Sequence, residues 1–141
     1  MEISDVRRRI QQTIERARRE AADRRVRNDE ASRAYSEFLE HTAVPLMRQI
    51  AQVLKVENYP FTIFTPSGSV RLMSDRSSQD FVEIVLDTSG AAPRVVVHSS
   101  RGRGRRVDES ERVVGSGDPG SVTQEELLAF LLTELEPFVE R

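Results

Sequence analysis

Residues 61–87 read FTIFTPSGSVRLMSDRSSQDFVEIVLD, and this stretch predicts consecutive antiparallel β-strands. Apolar and β-branched residues alternate with polar ones at a period of two, and Gly, Pro, Ser and Asp bound each run. The predicted strands cover residues 61–65, 69–74 and 81–87, with a turn at residues 66–68. Because the connections are too short to contain crossover helices, a parallel sheet is disfavoured.

Two further strands are predicted after this stretch. Residues 94–99 form the fourth, and residues 111–114 form a short fifth. Alternation places Val82 and Ile84 on the face of the sheet that packs on the helices, and Phe81 on the opposite face. We therefore expect a four- to five-stranded antiparallel β-meander.

A long helix is predicted before the strands, over residues 4–57. Ser4 is the expected N-cap, and Asn58 with the following proline ends the helical region. A broad apolar stripe between residues 35 and 53 indicates the part that packs on the rest of the chain. Pro45 lies inside this stripe and predicts a kink or short break, because proline lacks the N–H that an inner helical turn needs.

The N-terminal part of this helix is too long for the domain that it serves. One helix over residues 4–57 would be roughly 80 Å long, about twice the width of a 141-residue globule. We expect residues 1–30 to form a projecting Arg-rich segment and residues 31–141 to form a single α+β domain. The alternatives are a hairpin around residues 28–29 and pairing with another chain. The segment carries a thin apolar stripe made of Val6, Ile10, Ile14, Ala17 and Ala21.

We assign this stripe to self-association. An isolated helix with so narrow an apolar face is marginal in water, because most helix stability in proteins comes from packing. Pairing with a second copy, as a homodimer or a higher oligomer, is the simplest way to cover it.

An amphipathic helix is predicted at the C-terminus. Thr123 and Glu126 form a capping box, and Val122 with Leu127 forms a hydrophobic staple around the same helix start. Pro137 is expected to end or distort the helix. Its apolar face, which we expect to pack on the sheet, contains Leu127, Leu128, Leu131, Leu132, Leu135 and Phe138.

Charge is distributed unevenly, although the formal net charge is only −2. Residues 6–27 contain nine arginines against three acidic residues, whereas the C-terminal helix is acidic. The sequence RGRGRR at residues 101–106 combines glycines with arginine forks that suit phosphate groups. Bases would have no aromatic side chain to stack on here, and the acidic residues 108–111 lower the local field, so a Gly/Arg hairpin loop without a ligand is favoured. The candidate polyanion-binding residues are Arg94, Arg101, Arg103, Arg105 and Arg106.

Enzymatic readings have little support in the sequence. Cysteine is absent, which excludes disulfides, thiolate metal sites and a cysteine nucleophile. His41 and His98 are the only histidines, and neither has the spacing of a metal-binding motif, so we expect no metal site and no cofactor. Carboxylates that could gather near one end of the strands are Asp75, Asp80, Glu83 and Asp87.

In outline, the order of helix, meander and helix resembles small dimeric chaperones and adaptors, a resemblance of fold alone. The leading hypothesis is a non-enzymatic homo-oligomeric protein-binding module. One alternative is a nucleic-acid or polyanion-binding accessory protein that uses the Arg-rich helix and the RGRGRR loop. Another is a small-ligand protein or enzyme with a site near the sheet. With no apolar run long enough for a signal or a membrane span, we expect a cytoplasmic protein without a membrane partner.

Overall fold

A computed structural model describes residues 1–140 and has an α+β architecture, as predicted. Five strands form one antiparallel sheet in the order β1-β2-β3-β4-β5, which is a meander. The elements in chain order are α1 (Ile3–Phe38), a π-helical segment (Leu39–Ala43), α2 (Val44–Val56), β1 (Phe61–Phe64), β2 (Val70–Ser74), β3 (Phe81–Asp87), β4 (Arg94–Arg103), β5 (Arg106–Val113) and α3 (Gln124–Val139).

The long helical region is continuous from Ile3 to Val56. Its start differs from the prediction, because Glu2 occupies the N-cap position and Ser4 lies inside α1. The helix passes through residues 28–29 without a break, which excludes the hairpin alternative. The irregularity predicted at Pro45 is the π-helical segment, which precedes it and leaves the proline in the first turn of α2, where its missing N–H disrupts little.

The end of α2 is a Schellman motif built on Asn58. Asn58 has a φ of 71°, a left-handed conformation that asparagine tolerates better than most residues. The N–H of Tyr59 donates to the carbonyl of Leu54 at 2.8 Å, and the N–H of Asn58 donates to Lys55 at 3.2 Å. The predicted stop at Asn58 is therefore confirmed together with its mechanism.

The β4–β5 hairpin is longer than predicted. Residues 100–106 were expected to form a loop, but pairing continues to Arg103 and Arg106, which are opposite each other. Only Gly104 and Arg105 form the turn. The φ of Gly104 is 60°, which suits the first position of the type II′ turns that match strand twist.

The core is one cluster of buried apolar side chains that come from both the strands and the helices. Val70, Leu72, Val82 and Ile84 are fully buried, which confirms the predicted inner face. They share one apolar cluster with Met47 of α2 and with four α3 residues, Leu127, Leu131, Leu135 and Phe138.

The C-terminal helix α3 contacts the edge strand β1. The ring of Phe138 lies edge-on to Phe61 of β1 at 5.9 Å. The predicted N-cap is confirmed, since the hydroxyl of Thr123 accepts from the N–H of Glu126 at 3.1 Å. Of the two outcomes predicted for Pro137, an end of the helix is wrong, because α3 continues to Val139, and a distortion of the helix stays a prediction.

Tyr35 connects the C-terminal part of α1 to the sheet through hydrogen bonds. It is the first buried residue of that helix. Its phenol O–H donates to the carbonyl of Gly68 at 2.8 Å and lies 3.3 Å from the carbonyl of Ile84. Burial, with a smaller contribution from the charge of Glu83, raises the pKa of this phenol. The folded protein therefore favours the neutral form of the Tyr35 phenol.

We expect Tyr35→Phe to lower the free energy of unfolding by about 1–2 kcal/mol, because two carbonyls lose their donor. A raised pKa means that the contribution of the phenol is complete below its ordinary pKa of about 10 and is lost as the pH rises beyond it. Urea titrations of both proteins between pH 8 and 11 test this. The Tyr35→Phe protein should lose less stability above pH 10, and parallel pH profiles would contradict the assignment.

Candidate functional site

The segment before Arg27 extends away from the body as a single exposed helix. It contributes roughly 40 Å of length at 1.5 Å per residue. The body meets α1 around Ala31 and Ala34, which line a cleft together with Pro93 and Pro119. The predicted self-association residues all lie N-terminal to this junction.

The apolar stripe of this segment is exposed. The side chains of Val6, Ile10 and Ile14 are 40%, 53% and 44% exposed, respectively. Ala17 is exposed and Ala21 is half-buried. We call these five residues the α1 stripe. The structure brings them onto one side of one helix but places no other part of the described chain over them.

A second exposed apolar surface was not predicted. It is a groove of about 460 Å³ between α2 and α3, lined mainly by apolar side chains. We call it the α2–α3 groove. The most exposed apolar residues in its walls are Val53 and Leu132, at 61% and 56%. Its lining residues are Leu46, Gln49, Ile50, Val53, Leu54, Leu128, Leu132, Leu135, Glu136 and Val139.

Leu132 shows why the sequence missed this groove. All six apolar residues of α3 were expected to pack on the sheet, but Leu132 faces solvent and Leu128 is only half-buried. The signal available in the sequence was the width of the apolar face of α3, which is too wide to be covered completely by the sheet. Glu134 is buried instead, where it accepts from the hydroxyl of Ser99 at 2.9 Å and lies 3.6 Å from Arg112.

The structure brings only part of the candidate polyanion site together. Arg101, Arg103 and Arg106 lie near the tip of the β4–β5 hairpin, with Arg105 in its turn. Arg94 is at the other end of β4, roughly 30 Å away at 3.3 Å per residue. The five arginines therefore do not form one binding surface.

Acidic side chains neutralise part of the hairpin. The carboxylate of Asp108 lies 3.4 Å from a guanidinium nitrogen of Arg103 and 3.9 Å from one of Arg101. Within residues 1–140, Arg105 and Arg106 have no ion-pair partner. Two free cations at an exposed tip constitute a weak phosphate site compared with a convergent cluster.

Arg94 has a local structural role at its end of β4. A guanidinium nitrogen of Arg94 lies 3.4 Å from the carboxylate of Asp87. The hydroxyl and backbone N–H of Ser89 donate to the same carboxylate, at 2.6 and 2.9 Å. These bonds to Ser89, and then the charge of Arg94, lower the pKa of Asp87. Asp87 thus holds the β3–β4 turn.

The remaining acidic candidates also have structural partners. Asp80 is buried and accepts from the N–H of Gly102 at 2.8 Å, which anchors β4. Glu83 accepts from the guanidinium of Arg71 at 2.7 Å. That guanidinium stacks 4.0 Å above the ring of Phe81, and this cover explains why Phe81 is buried although it lies on the outer face.

The two histidines lie in different parts of the fold, His98 opposite Glu83 in the β3–β4 register and His41 in the helical region. His98 packs edge-on against Phe81 and lies 3.8 Å from Glu109 at the sheet surface, whereas His41 is exposed in the π-helical segment. Residues 1–140 contain no cluster of three His, Asp or Glu side chains that could hold a metal ion. Among their helices, none is both long and apolar enough to cross a membrane.

Comparison with protein-family models, with characterised proteins and with solved structures gave no match in any of the three searches.

Proposed function

We propose that this chain is a non-enzymatic, homo-oligomeric protein-binding module. Residues 1–30 supply self-association through the α1 stripe, and the open face of the sheet binds another protein. The observation that supports this proposal is the exposed α1 stripe, carried on a helix that extends beyond its own body.

The projecting helix has little to stabilise it within one molecule. Its side-chain ion pair between Arg8 and Asp5 is exposed, and such pairs contribute at most about 1 kcal/mol. Helices of this kind are stable when an apolar face packs against another surface. A second copy of the chain can supply such a surface, and it is present wherever the chain is.

The outer face of the sheet has the mixed composition of a non-obligate interface. Phe64 of β1 and Val107 of β5 are 47% and 42% exposed at its two edges. Register places both on this face, with the ion pair of Arg71 and Glu83 between them. Exposed apolar side chains beside an ion pair give the mixed apolar and polar surface that non-obligate protein interfaces have.

Polyanion binding is the second candidate, and the free Arg105 and Arg106 at the hairpin tip favour it. Pairing of Arg101 and Arg103 with Asp108, and the distance to Arg94, weigh against it. Nucleic-acid affinity that falls steeply with salt and with Arg105→Ala and Arg106→Ala would make this role the leading one.

Light scattering over a dilution series tests self-association. We expect a mass of at least twice the 16.0 kDa of one chain, falling on dilution as copies dissociate. A mass of one chain throughout the micromolar range would contradict the self-association half of the proposal.

Affinity capture from the native organism tests the protein-binding half. We compare the unaltered chain with a Phe64→Ser, Val107→Ser variant, which changes only exposed positions. A specific partner should be captured by the first and lost from the second. Equal capture by both would exclude the open face as the contact.

A further inference from the structure

We propose that the α2–α3 groove receives the α1 stripe of a second copy of this chain. This inference rests on the proposed self-association and assigns the two surfaces that form it. In each pair of copies, the projecting helix of one chain fills the groove of the other, and the exchange is reciprocal.

The two surfaces are comparable in length and alike in chemistry. The stripe spans residues 6–21, roughly 24 Å, and the α3 wall of the groove spans residues 128–139, roughly 18 Å. The stripe presents Val6, Ile10 and Ile14 to solvent, and the groove presents Val53 and Leu132. Joining them removes these five apolar side chains from water.

Charge favours the groove over a pairing of two α1 helices. At 100° per residue, Arg7, Arg18 and Arg25 follow one edge of the stripe. On the other side Arg24 borders the stripe, Glu20 is next to it, and the arginines at positions 9, 16 and 27 lie farther round the helix. Two stripes packed antiparallel would therefore bring the edges that carry Arg7 and Arg18 close to each other, which like-charge repulsion opposes.

The α3 wall of the groove has the complementary charge. Its glutamates lie at positions 125, 126, 134, 136 and 140, and residues 124–140 contain no lysine or arginine. Glu136 lines the groove, and helical spacing places Glu125 beside the same face. The α2 cations Arg48 and Lys55 lie on the side of α2 away from the groove by the same spacing.

The spacing of the charges matches as well. Arg7 and Arg18 differ by 11 positions, and so do Glu125 and Glu136. Both pairs are separated by roughly 16 Å along a helix. One docking register can therefore form two ion pairs beside the apolar contact.

Disulfide trapping tests this arrangement, and the absence of native cysteine makes it clean. An I14C chain and an L132C chain, distinguishable by a size tag, are mixed and mildly oxidised. Ile14 is near the middle of the stripe and Leu132 near the middle of α3, so the test does not depend on helix direction. We expect the mixed disulfide to be the main product, because a disulfide needs Cα atoms within about 7 Å.

The control replaces I14C with V26C. Val26 is more exposed than Ile14, at 55% against 44%, but lies on the opposite side of α1 from the stripe, so its mixed disulfide with L132C should be at least about tenfold slower to form. Equal rates for I14C and V26C would overturn the proposal. So would a product in which I14C links mainly to I14C in a chain that is dimeric by light scattering, which leaves self-association intact. A monomeric chain would remove both this inference and the proposed function.

Charge reversal gives a second, independent test. An R7E/R18E chain should associate about tenfold more weakly at low salt, as expected for lost exposed ion pairs turned repulsive. Adding E125R/E136R to that chain should restore association. Weakening without this rescue would contradict the proposed pairing.

Discussion

A chain carrying Ile10→Glu and Ile14→Glu is expected to be monomeric and to lose much of the helix signal of residues 1–30. Each isoleucine is about half exposed, so covering it contributes about 0.7–1.5 kcal/mol, and removing four from a pair of copies should weaken association by at least about 100-fold. Glutamate is itself a good helix former and can pair with Arg18 four residues after position 14. A fall in helix signal would therefore report lost packing and not lost propensity.

Light scattering and far-UV circular dichroism measure these two effects together. Val26→Glu is the matched control, because Val26 is 55% exposed on the same helix but outside the stripe. It should leave both mass and helix signal unchanged. If Ile10→Glu with Ile14→Glu left the mass unchanged, the stripe would have no part in association.

Truncation of two neighbouring leucines of α3 is expected to change the free energy of unfolding by very different amounts. Leu131 is fully buried in the core, so Leu131→Ala should lower the free energy of unfolding by about 2–5 kcal/mol. Leu132 is 56% exposed in the α2–α3 groove, so Leu132→Ala should change the stability of a single chain by less than about 0.5 kcal/mol.

The comparison is best made in the Ile10→Glu, Ile14→Glu background, where association no longer adds to stability. Urea unfolding gives the stability of the single chain in that background. In the otherwise unaltered chain, Leu132→Ala should instead weaken association. Equal losses of stability from the two leucines would mean that Leu132 is part of the core and that the groove is not a free surface.

The sheet could be predicted because apolar and polar residues alternate along its strands at a period of two. Residues 61–87 alternate clearly, and β3 has the predicted bounds. The strand β5 was largely missed for a physical reason. As an exposed edge strand it buries almost nothing, so the sequence from Arg106 to Val113 has no apolar face, and only backbone pairing with β4 makes it a strand.

The two candidate surfaces also differ in whether local sequence pattern can predict them. The α1 stripe follows from local spacing on one helix, so the sequence identifies it. The α2–α3 groove depends on how α2 and α3 lie against each other. All five strands separate these two helices in the sequence, so no local sequence pattern contains this information. Buried Glu134 is a similar case, because its partner Ser99 lies 35 positions earlier in the chain.

Hydrogen exchange of the amides of residues 6–21, measured at two chain concentrations, tests most directly whether a second copy covers the projecting helix. We predict strong protection at high concentration that falls in step with dissociation on dilution. Free exchange at every concentration, or protection that does not change with concentration, would show that no second copy shelters this helix.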